Sequence, residues 1–377
     1  MTKSTYSEPD FTQAPFAGAP EARFVALPAD GVLPEGFFST SNLPTYVHVG
    51  GRWLMPVRPR MDCVIARRGE GLETIEPRRL RKGDLVAVGE AEDGTEGIVV
   101  HTVGFLGGAH SANEFQFMGT EVSREKPVNY EELALQLEKE RRAGGYVLWV
   151  AGPALVHSRA RSDFEWFIRS GYVQAALLGN AVAVHDMEAA IFGTTLGMSN
   201  TGVPTEGGHG LHMRAINRVR AAGSIANAVK SGLVKSGIMH TLESCGVPYV
   251  LAGSIRDDGP LPGVYSDTLQ AQEAMREHTV LATGAVFIAT ALHAIATGNM
   301  LPAFVSLPDG NMRELATICV DSSEFVVSKL KDRGTHQAFG VVTNAQDFMH
   351  ILRLFVEREL DGRSAAPASA HPAAVAR

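Results

Sequence analysis

Apolar and polar positions follow two different patterns along the chain. From Arg23 to about Val122, short apolar runs are separated by Gly and Pro, which is typical of a small all-β module. These runs are FVAL, YVHVGGRWL, DCVIA, DLVAVG and GIVVHTV. The pattern therefore predicts a β-rich domain over residues 23–125.

The pattern changes after residue 125. Helical periodicity at residues 130–142 ends at the Gly144-Gly145 pair. The apolar runs that follow are YVLWVAG (146–152), YVQAALLGNAVAV (172–184), GVPYVLAGSI (246–255), TICVD (317–321) and QAFGVVTN (337–344), and helix-like segments lie at 160–170, 211–232, 268–296 and 322–332. Apolar runs without alternation, separated by helices, indicate a parallel sheet buried on both faces. We therefore predict an α/β fold, with a Rossmann-like doubly wound sheet over residues 126–360.

Composition narrows the choice of partners and compartment. The 377 residues suffice for two domains, while residues 1–22 and the Ala/Pro/Ser-rich tail 361–377 carry no buried pattern and are expected to be disordered. A net charge of -7 argues against binding to nucleic acid, and no apolar stretch approaches the length of a membrane span. Cys63, Cys245 and Cys319 form no CxxC pattern, which fits a reducing cytoplasm.

Polar residues cluster where the apolar runs end, which is where a doubly wound fold binds its ligands. The clusters are Gly179-Asn180-Ala181, His185-Asp186, 253–259, Thr297-Gly298-Asn299 and Asp321. In the loop 253–259, Arg256 could bind a carboxylate, and Asp257 or Asp258 could bind an ammonium group or act as a base. The alternative is an internal Arg–Asp ion pair that shapes a turn.

Other polar residues also have two interpretations. His185 lies beside Asp186 and Glu188, and two neighbouring acids can shift the pKa of its imidazole. The same residues could instead mark a helix start. Asp321 could accept hydrogen bonds from a ribose, cap the following helix, or do both.

The remaining histidines give weaker signals. His209 and His212 lack a third ligand for a metal, so we expect them to bind an anionic group with Arg214 or to cap a helix. For His293, in a very apolar segment, a hydrogen-bonded core histidine is the favoured interpretation.

Familiar cofactor and hydrolase motifs are absent from the sequence. Val150-Ala151-Gly152-Pro153-Ala154 carries one glycine rather than a G-x-G-x-x-G fingerprint. There is no G-x-S-x-G elbow and no Walker A sequence, which argues against hydrolase and kinase functions.

Long stretches of the sequence resemble one family. They are 32–53, 61–65, 82–90, 152–158, GYVQAALLGNAVAVHDMEAAIFGTTLGM (171–198), 212–225, GVPYVLAGSIRDDGPLPGV (246–264), HAIATGNMLP (293–302), TICVD (317–321) and DRGTHQAFGVVTN (332–344). The chain resembles the archaeal-type NAD-dependent ornithine cyclodeaminases, which also form the C-terminal part of bifunctional arginine dihydrolases. The resemblance implies an N-terminal region shared with proteins linked to lysine-ketoglutarate reductase and saccharopine dehydrogenase, and a cofactor domain similar to that of deoxyhypusine synthase.

The resemblance also implies a cofactor, a substrate and a set of contacts. Its cofactor is NAD, and its NAD contacts fall on Asn180, Ala181, Asp258, Thr297, Gly298, Asn299, Met300, Asp321, Asn344 and Ala345. If L-ornithine is the substrate, we expect Arg256 or Arg214 to bind its carboxylate, and Asp257, Asp186 or His185 to bind amines and move protons. No metal is expected.

Three other functions compete with an ornithine cyclodeaminase. One is an opine- or saccharopine-type oxidoreductase with net formation of NADH, and another is a non-catalytic NAD-sensing subunit. The third is a synthase acting on polyamines, which is disfavoured because no lysine lies in an obvious cofactor-facing motif. We expect a homo-oligomer, in which aliphatic segments such as 280–296 form either core or subunit interface.

Overall fold

The computed structural model describes residues 6–105, 128–199, 202–257, 259–307, 310–332 and 338–364. Its N-terminal part is β-rich, as predicted. The strands are β1 (Arg23–Ala26), β2 (Thr45–Val49), β3 (Arg52–Leu54), β4 (Val64–Arg68), β5 (Gly71–Ile75), β6 (Leu85–Val88) and β7 (Ile98–Val100). They form two antiparallel sheets, ordered β1-β6-β4-β5 and β3-β2-β7. Alternate apolar residues such as Val47, Ile65 and Ile98 are fully buried in a shared core.

The segment before β1 differs from the expected disorder, because residues 6–22 pack against the rest of the protein. Tyr6 and Phe16 are 7% and 4% exposed. The Tyr6 amide donates to the Met312 carbonyl at 3.0 Å, and the Tyr6 hydroxyl is 2.9 Å from that of Tyr46. Polar composition suggested disorder, but two buried aromatic rings supply enough apolar area to anchor the segment.

The second part contains a six-stranded parallel sheet. Its strands are β8 (Val147–Ala151), β9 (Ala175–Gly179), β12 (Tyr249–Ala252), β13 (Gly284–Ile288), β16 (Ala316–Asp321) and β17 (Ala338–Val342). All five pairings are parallel, and the order is β12-β9-β8-β13-β16-β17. In chain sequence this is the 3-2-1-4-5-6 order of the Rossmann fold, which confirms the predicted fold class.

Helices cover both faces of this sheet. They are α1 (Tyr130–Arg142), α2 (Ala154–His157), α3 (Arg161–Arg169), α4 (Asn180–Phe192), α5 (Leu211–Ala221), α6 (Ile225–Lys230), α7 (Ile238–Cys245), α8 (Thr268–Thr279), α9 (Leu292–Met300), α10 (Glu324–Asp332) and α11 (Ala345–Ser364). Successive strand residues point to opposite faces, so Trp149 and Leu178 join one core and Leu148 and Leu177 the other. Burial on both faces explains why these strands lack alternation.

Several predicted boundaries change in the structure. The segment 268–296 is not one helix but α8, strand β13 and the start of α9, because a short buried run such as GAVFI has no periodicity of its own. The apolar run 172–184 divides into β9 and the first turns of α4. Helix α11 continues to Ser364, into the tail expected to be disordered, and residues 365–377 lie outside the described residues.

Two small hairpins were not predicted, β10 (Thr194–Thr195) with β11 (Met198–Ser199) and β14 (Phe304–Ser306) with β15 (Met312–Glu314). The β14–β15 hairpin packs on Tyr6, Phe16 and Tyr46, so it joins the β-rich part to the parallel sheet. Within the described residues, no helix has the length and hydropathy to cross a bilayer.

Candidate functional site

A doubly wound sheet binds its ligands in the crevice where the strand order reverses, which in this sheet is between the carboxyl ends of β8 and β13. Gly152 follows β8 and donates its N–H to the Ile288 carbonyl at 2.9 Å. A Cβ atom on Gly152 would lie 1.8 Å from the Ala289 carbonyl oxygen, so only glycine fits. Ala289 itself has a φ of 53°, a strained conformation for alanine. Gly152 thus allows the chain after β8 to pass very close to the chain after β13.

Helix α4 starts directly at the end of β9 and points its N-terminus toward this edge. Its N-cap, Gly179, has no side chain to accept hydrogen bonds from the first turn. The N–H groups of such an end favour an anion such as a phosphate. Asn180 is buried and its Oδ1 accepts the Leu261 N–H at 3.1 Å, whereas Ala181 is exposed. Asn180 therefore also fixes the loop after β12.

The loop after β12 is held by its own aspartate. Asp257 Oδ2 accepts the Ser254 N–H at 2.7 Å, and the Asp257 N–H donates to the Ser254 carbonyl. Arg256 is exposed beside it, as is Ile255. The turn expected from an Arg–Asp ion pair is thus formed by an aspartate–backbone hydrogen bond. Asp258 lies outside the described residues.

An arginine that sequence reasoning missed reaches the same loop. Arg220, in the last turn of α5, donates through Nε to the Pro260 carbonyl at 3.2 Å. Arg214, the predicted substrate ligand, is exposed in the first turns of α5, about 9 Å further from the loop at 1.5 Å per residue. The structure thus brings the last turn of α5, and not its first, to the loop after β12. The role of Arg214 in binding substrate stays a prediction.

Asp186 differs from its predicted role in binding amines. Its carboxylate is fully buried and accepts hydrogen bonds from Arg161 Nε at 2.6 Å and from the N–H groups of Ile238 and Met239 at 2.9 and 2.8 Å. Asp186 therefore caps α7 and neutralises a partly buried arginine. These contacts hold two helices together and turn the carboxylate away from the crevice.

His185 lies in a second buried cluster on α4. Its ring is 4.5 Å from that of His157, and its Nδ1 is 3.7 Å from Glu188 Oε2. Glu188 is fully buried and accepts from Thr194 Oγ1 at 2.9 Å and from the Leu196 and Gly197 N–H groups. Burial raises the pKa of Glu188, but the interaction with His185 and these hydrogen bonds outweigh it and lower the pKa, so Glu188 holds the β10–β11 turn as a carboxylate. His185 thus faces a structural cluster.

On the other side of the crevice, polar residues follow β16 and β17. Asp321 is half-buried, and its Oδ1 accepts the Ser323 N–H at 2.9 Å, which forms an Asx turn just before α10 and does not reach the N–H groups of the first helical turn. Asn344 caps α11 by accepting the Asp347 N–H at 2.8 Å, and Ala345 is buried behind it. The second oxygen of Asp321 leaves room for a ribose hydroxyl.

The stretch 297–300 lies at the far end of α9, one to two turns from the sheet edge. Asn299 Nδ2 donates to Asp62 Oδ2 of the β-rich part at 3.0 Å, and Met300 packs in the core. Thr297 Oγ1 and Asn299 Oδ1 are buried and have no partner among the described residues. Buried polar atoms without partners are uncommon and are expected where a ligand binds.

His293, interpreted from the sequence as a core residue, instead lies at the edge of the sheet. Its Cε1 is 3.3 Å from the position that a Cβ on Gly179 would take. No group of three or more metal-ligating side chains occurs in the described part of the chain.

Comparison with known families covers most of the chain. Residues 131–352 match the model for the second C-terminal region of ArgZ-like arginine dihydrolases, which is described as a Rossmann fold. Residues 44–131 match the model for the first C-terminal region of the same proteins. The boundary between the two matches falls near the start of α1.

Individual relatives point the same way. Ornithine cyclodeaminase of Methanopyrus kandleri is 44% identical over 334 residues, which cover 87% of this chain and 77% of the relative. A putative LOR/SDH protein from Methanococcus maripaludis superposes with a TM-score of 0.81 at 39% identity, over 90% of this chain and 99% of that one. The ternary complex of AgrE with ornithine and NAD+ matches at 35% identity with a TM-score of 0.56, over 92% of this chain and 47% of AgrE.

Proposed function

Because the chain belongs to the ornithine cyclodeaminase family, we propose that it converts L-ornithine into L-proline and ammonia with NAD as cofactor. The observation that carries this proposal is the match to an ornithine cyclodeaminase at 44% identity over 334 residues. The complex of the relative AgrE with ornithine and NAD+ supports the choice of both ligands.

The crevice suits a dinucleotide without a glycine fingerprint. Gly152 lets the chain segments after β8 and β13 approach each other, the uncapped N-terminus of α4 suits a phosphate, and Asp321 has an oxygen for a ribose. We further propose Asn180, Ala181, Asp258, Asn344, Ala345 and residues 297–300 as cofactor contacts. The buried, unpartnered Thr297 Oγ1 and Asn299 Oδ1 fit this role. When bound, NAD supplies a reversible hydride acceptor at the substrate Cα.

The protein must then hold the substrate and move protons. Arg256 and Arg220 lie on and beside the loop after β12, where an exposed guanidinium can bind the substrate carboxylate. The Asp257 oxygen that does not bond Ser254 can accept from an ammonium group. The net reaction balances as ornithine cation to neutral proline and ammonium ion, with no net oxidation.

We also propose that the protein works as a homo-oligomer in the cytoplasm. Two large apolar side chains near the crevice are strongly exposed, Ile255 at 107% and Leu292 at 80%. The free thiols of Cys63, Cys245 and Cys319 are consistent with a reducing compartment. Light scattering coupled to gel filtration, with Ile255→Lys as the variant, measures the oligomeric state.

The test of the function follows three quantities at once. Purified protein is incubated with L-ornithine and catalytic NAD, and proline, ammonia and absorbance at 340 nm are recorded together. We expect equimolar proline and ammonia, no accumulation of NADH, and no turnover when NAD is removed. NADH formed in step with substrate consumption would instead identify a net oxidoreductase, and NAD binding without turnover of any diamino acid would identify a sensing subunit.

A further inference from the structure

His293 lies at the carboxyl edge of the sheet rather than in the core. It is half-buried in the first turn of α9, the helix that follows β13, and it contacts the end of β9 at Gly179. In the sheet, β8 lies between β9 and β13, and α9 contacts both β8 and β9. The imidazole therefore lies beside the ends of the two strands that carry Gly152 and Asn180.

The glycine at position 179 makes room for this ring. A Cβ there would lie 3.3 Å from His293 Cε1 and 3.8 Å from Nδ1, closer than most side-chain contacts. Gly179 has an ordinary extended backbone with a φ of -90°, so its conformation does not demand glycine. The absence of a side chain at this position is explained by the neighbouring imidazole.

His293 differs in its hydrogen bonding from two other partly buried histidines, His101 and His278, but not from His185 and His240, whose Nδ1 atoms also lack a partner among the described residues. His101 and His278 are also partly buried, and their Nδ1 atoms pair with the hydroxyls of Tyr6 and Tyr146 at 2.7 and 2.8 Å. Neither ring nitrogen of His293 has a hydrogen-bond partner in the part of the chain that the structure describes. An imidazole left open at the mouth of a ligand crevice is available to bind a ligand.

Burial lowers the pKa of His293 below its usual 6.5. The charged groups of α8, which packs against α9, face elsewhere: Arg276 donates to the Met300 and Arg58 carbonyls, and His278 pairs with Tyr146. On α10, Glu324 is exposed. The ring is therefore neutral at pH 7, with one nitrogen that accepts and one that donates.

We propose that His293 accepts a proton from the terminal ammonium group of the substrate and passes it to the departing nitrogen during ring closure. This inference rests on the proposed function. Once hydride transfer has made Cα the carbon of a C=N bond, the terminal ammonium gives one proton to His293. The freed electron pair forms the new N–C bond at Cα, and the π electrons of the C=N bond move onto the α-nitrogen. His293 then protonates the departing nitrogen, which leaves with the electrons of the old C–N bond. The ring nitrogen releases one proton to solvent, and its electron pair forms the C=N bond.

The first test compares His293→Gln with His350→Gln. Gln keeps one donor and one acceptor but cannot take up a proton, and His350 is an exposed histidine on α11 that serves as the matched control. We expect kcat of His293→Gln to fall by about 10²- to 10⁴-fold, the usual effect of losing a general base. The Kd for NAD and the melting temperature should be unchanged in both variants. Wild-type kcat in His293→Gln, or a loss of NAD affinity as large as the loss of kcat, would overturn the proposal.

Chemical rescue separates proton transfer from a structural role. In His293→Ala, added imidazole can occupy the space beside Gly179, and we expect it to restore part of kcat with a dependence on the concentration of neutral imidazole. His350→Ala should not respond. A folded His293→Ala variant that imidazole does not rescue would contradict the assignment.

An NMR measurement distinguishes failure of this inference from failure of the proposed function. The His293 ring signal, assigned by its absence in His293→Gln, is titrated without substrate and then with NAD and L-ornithine. We expect titration below pH 6.5 and a shift on addition of ornithine. If the wild type turns over ornithine but this signal does not respond, the role of His293 is wrong. If the wild type neither binds nor converts ornithine, the proposed function fails and the role of His293 with it.

Discussion

Helices α4 and α9 begin at the same edge of the sheet, but the polar side chains that they carry differ in their hydrogen bonding. On α4, Asp186 and Glu188 are fully buried and accept hydrogen bonds from Arg161, from Thr194 and from backbone N–H groups. On α9, His293 has no hydrogen-bond partner among the described residues, and on α4 the Nδ1 atom of His185 also lacks one. A polar residue near a strand end is thus a good candidate for chemistry only when the fold has not already used its hydrogen-bonding capacity.

The comparison corrects the usual expectation that acids beside a histidine form a site. In His185-Asp186-Met187-Glu188 both acids hold loops and helices in place, and the histidine points toward one of them. On α9 the histidine lies beside Gly179, and burial alone lowers its pKa. We therefore expect variants of the acids on α4 to change stability, and variants of His293 on α9 to change catalysis.

The largest expected effect is the loss of stability in Asp186→Ala. The change leaves the Arg161 guanidinium and two N–H groups of α7 without their acceptor, and breaking a buried pair in this way costs about 3–5 kcal/mol. Urea denaturation measures the free energy of unfolding, and Glu70→Gln on the surface is the control. If the variant keeps its stability but no longer converts ornithine, Asp186 acts in the active site, and the contrast between α4 and α9 is wrong.

A second buried acid, Glu138 on α1, should make the protein sensitive to acid. Hydrogen bonds from Arg141, Arg142 and Tyr172 hold its pKa down at about 2, against 4.5 when unfolded. Because the folded pKa is the lower one, Glu138 stabilises the fold above pH 4.5, and this contribution of about 3 kcal/mol at most is lost as the pH falls toward 2. The free energy of unfolding should therefore depend less on pH in Glu138→Gln over this range. Parallel curves for the two proteins would show that another group is responsible.

A smaller stability effect with a large functional one is expected for Gly152→Ala. The added methyl group would lie 1.8 Å from the Ala289 oxygen, so β8 and β13 must separate, at a cost of about 1–3 kcal/mol. Because the crevice lies at this point, the affinity for NAD, measured by calorimetry, should fall at least about tenfold, or about 1.4 kcal/mol. Gly210→Ala is the matched control, since its nearest neighbour is 3.9 Å away. Unchanged NAD binding in Gly152→Ala would place the cofactor elsewhere.

The smallest effects distinguish the two ends of α5. Arg220→Ala removes a hydrogen bond to the loop after β12, worth about 1 kcal/mol, and should raise KM for ornithine more than it lowers kcat. Arg214→Ala, at the exposed start of the helix, should change stability by less than about 0.5 kcal/mol. If KM for ornithine rises more in Arg214→Ala than in Arg220→Ala, Arg214 is the substrate ligand.

Local patterns predicted the fold well, because each strand and helix leaves its own trace in the sequence. The β-rich part and the parallel sheet were both predicted, whereas β13 was read as helix because GAVFI is too short to show a period. The burial of Tyr6 and Phe16 was not predicted, because both side chains contact residues far along the chain.

The site was harder to predict than the fold, because its assembly depends on contacts between distant segments. The strand ends that carry Gly179, Asn180 and Asp321 were identified, since a parallel sheet brings them to one edge. Whether a side chain is free could not be predicted. Arg161 lies 25 residues before Asp186, and Gly179 lies more than a hundred residues before His293. No sequence pattern links either pair.

The proposed reaction requires that the hydride removed from ornithine return to the same carbon skeleton within one turnover. The most direct measurement uses L-ornithine deuterated at Cα, with unlabelled NAD, and mass spectrometry of the proline formed. If the hydride returns in this way, proline keeps the deuterium at Cα and no NADH accumulates. Proline that has lost the label, or labelled NADH released in step with substrate consumption, would contradict it.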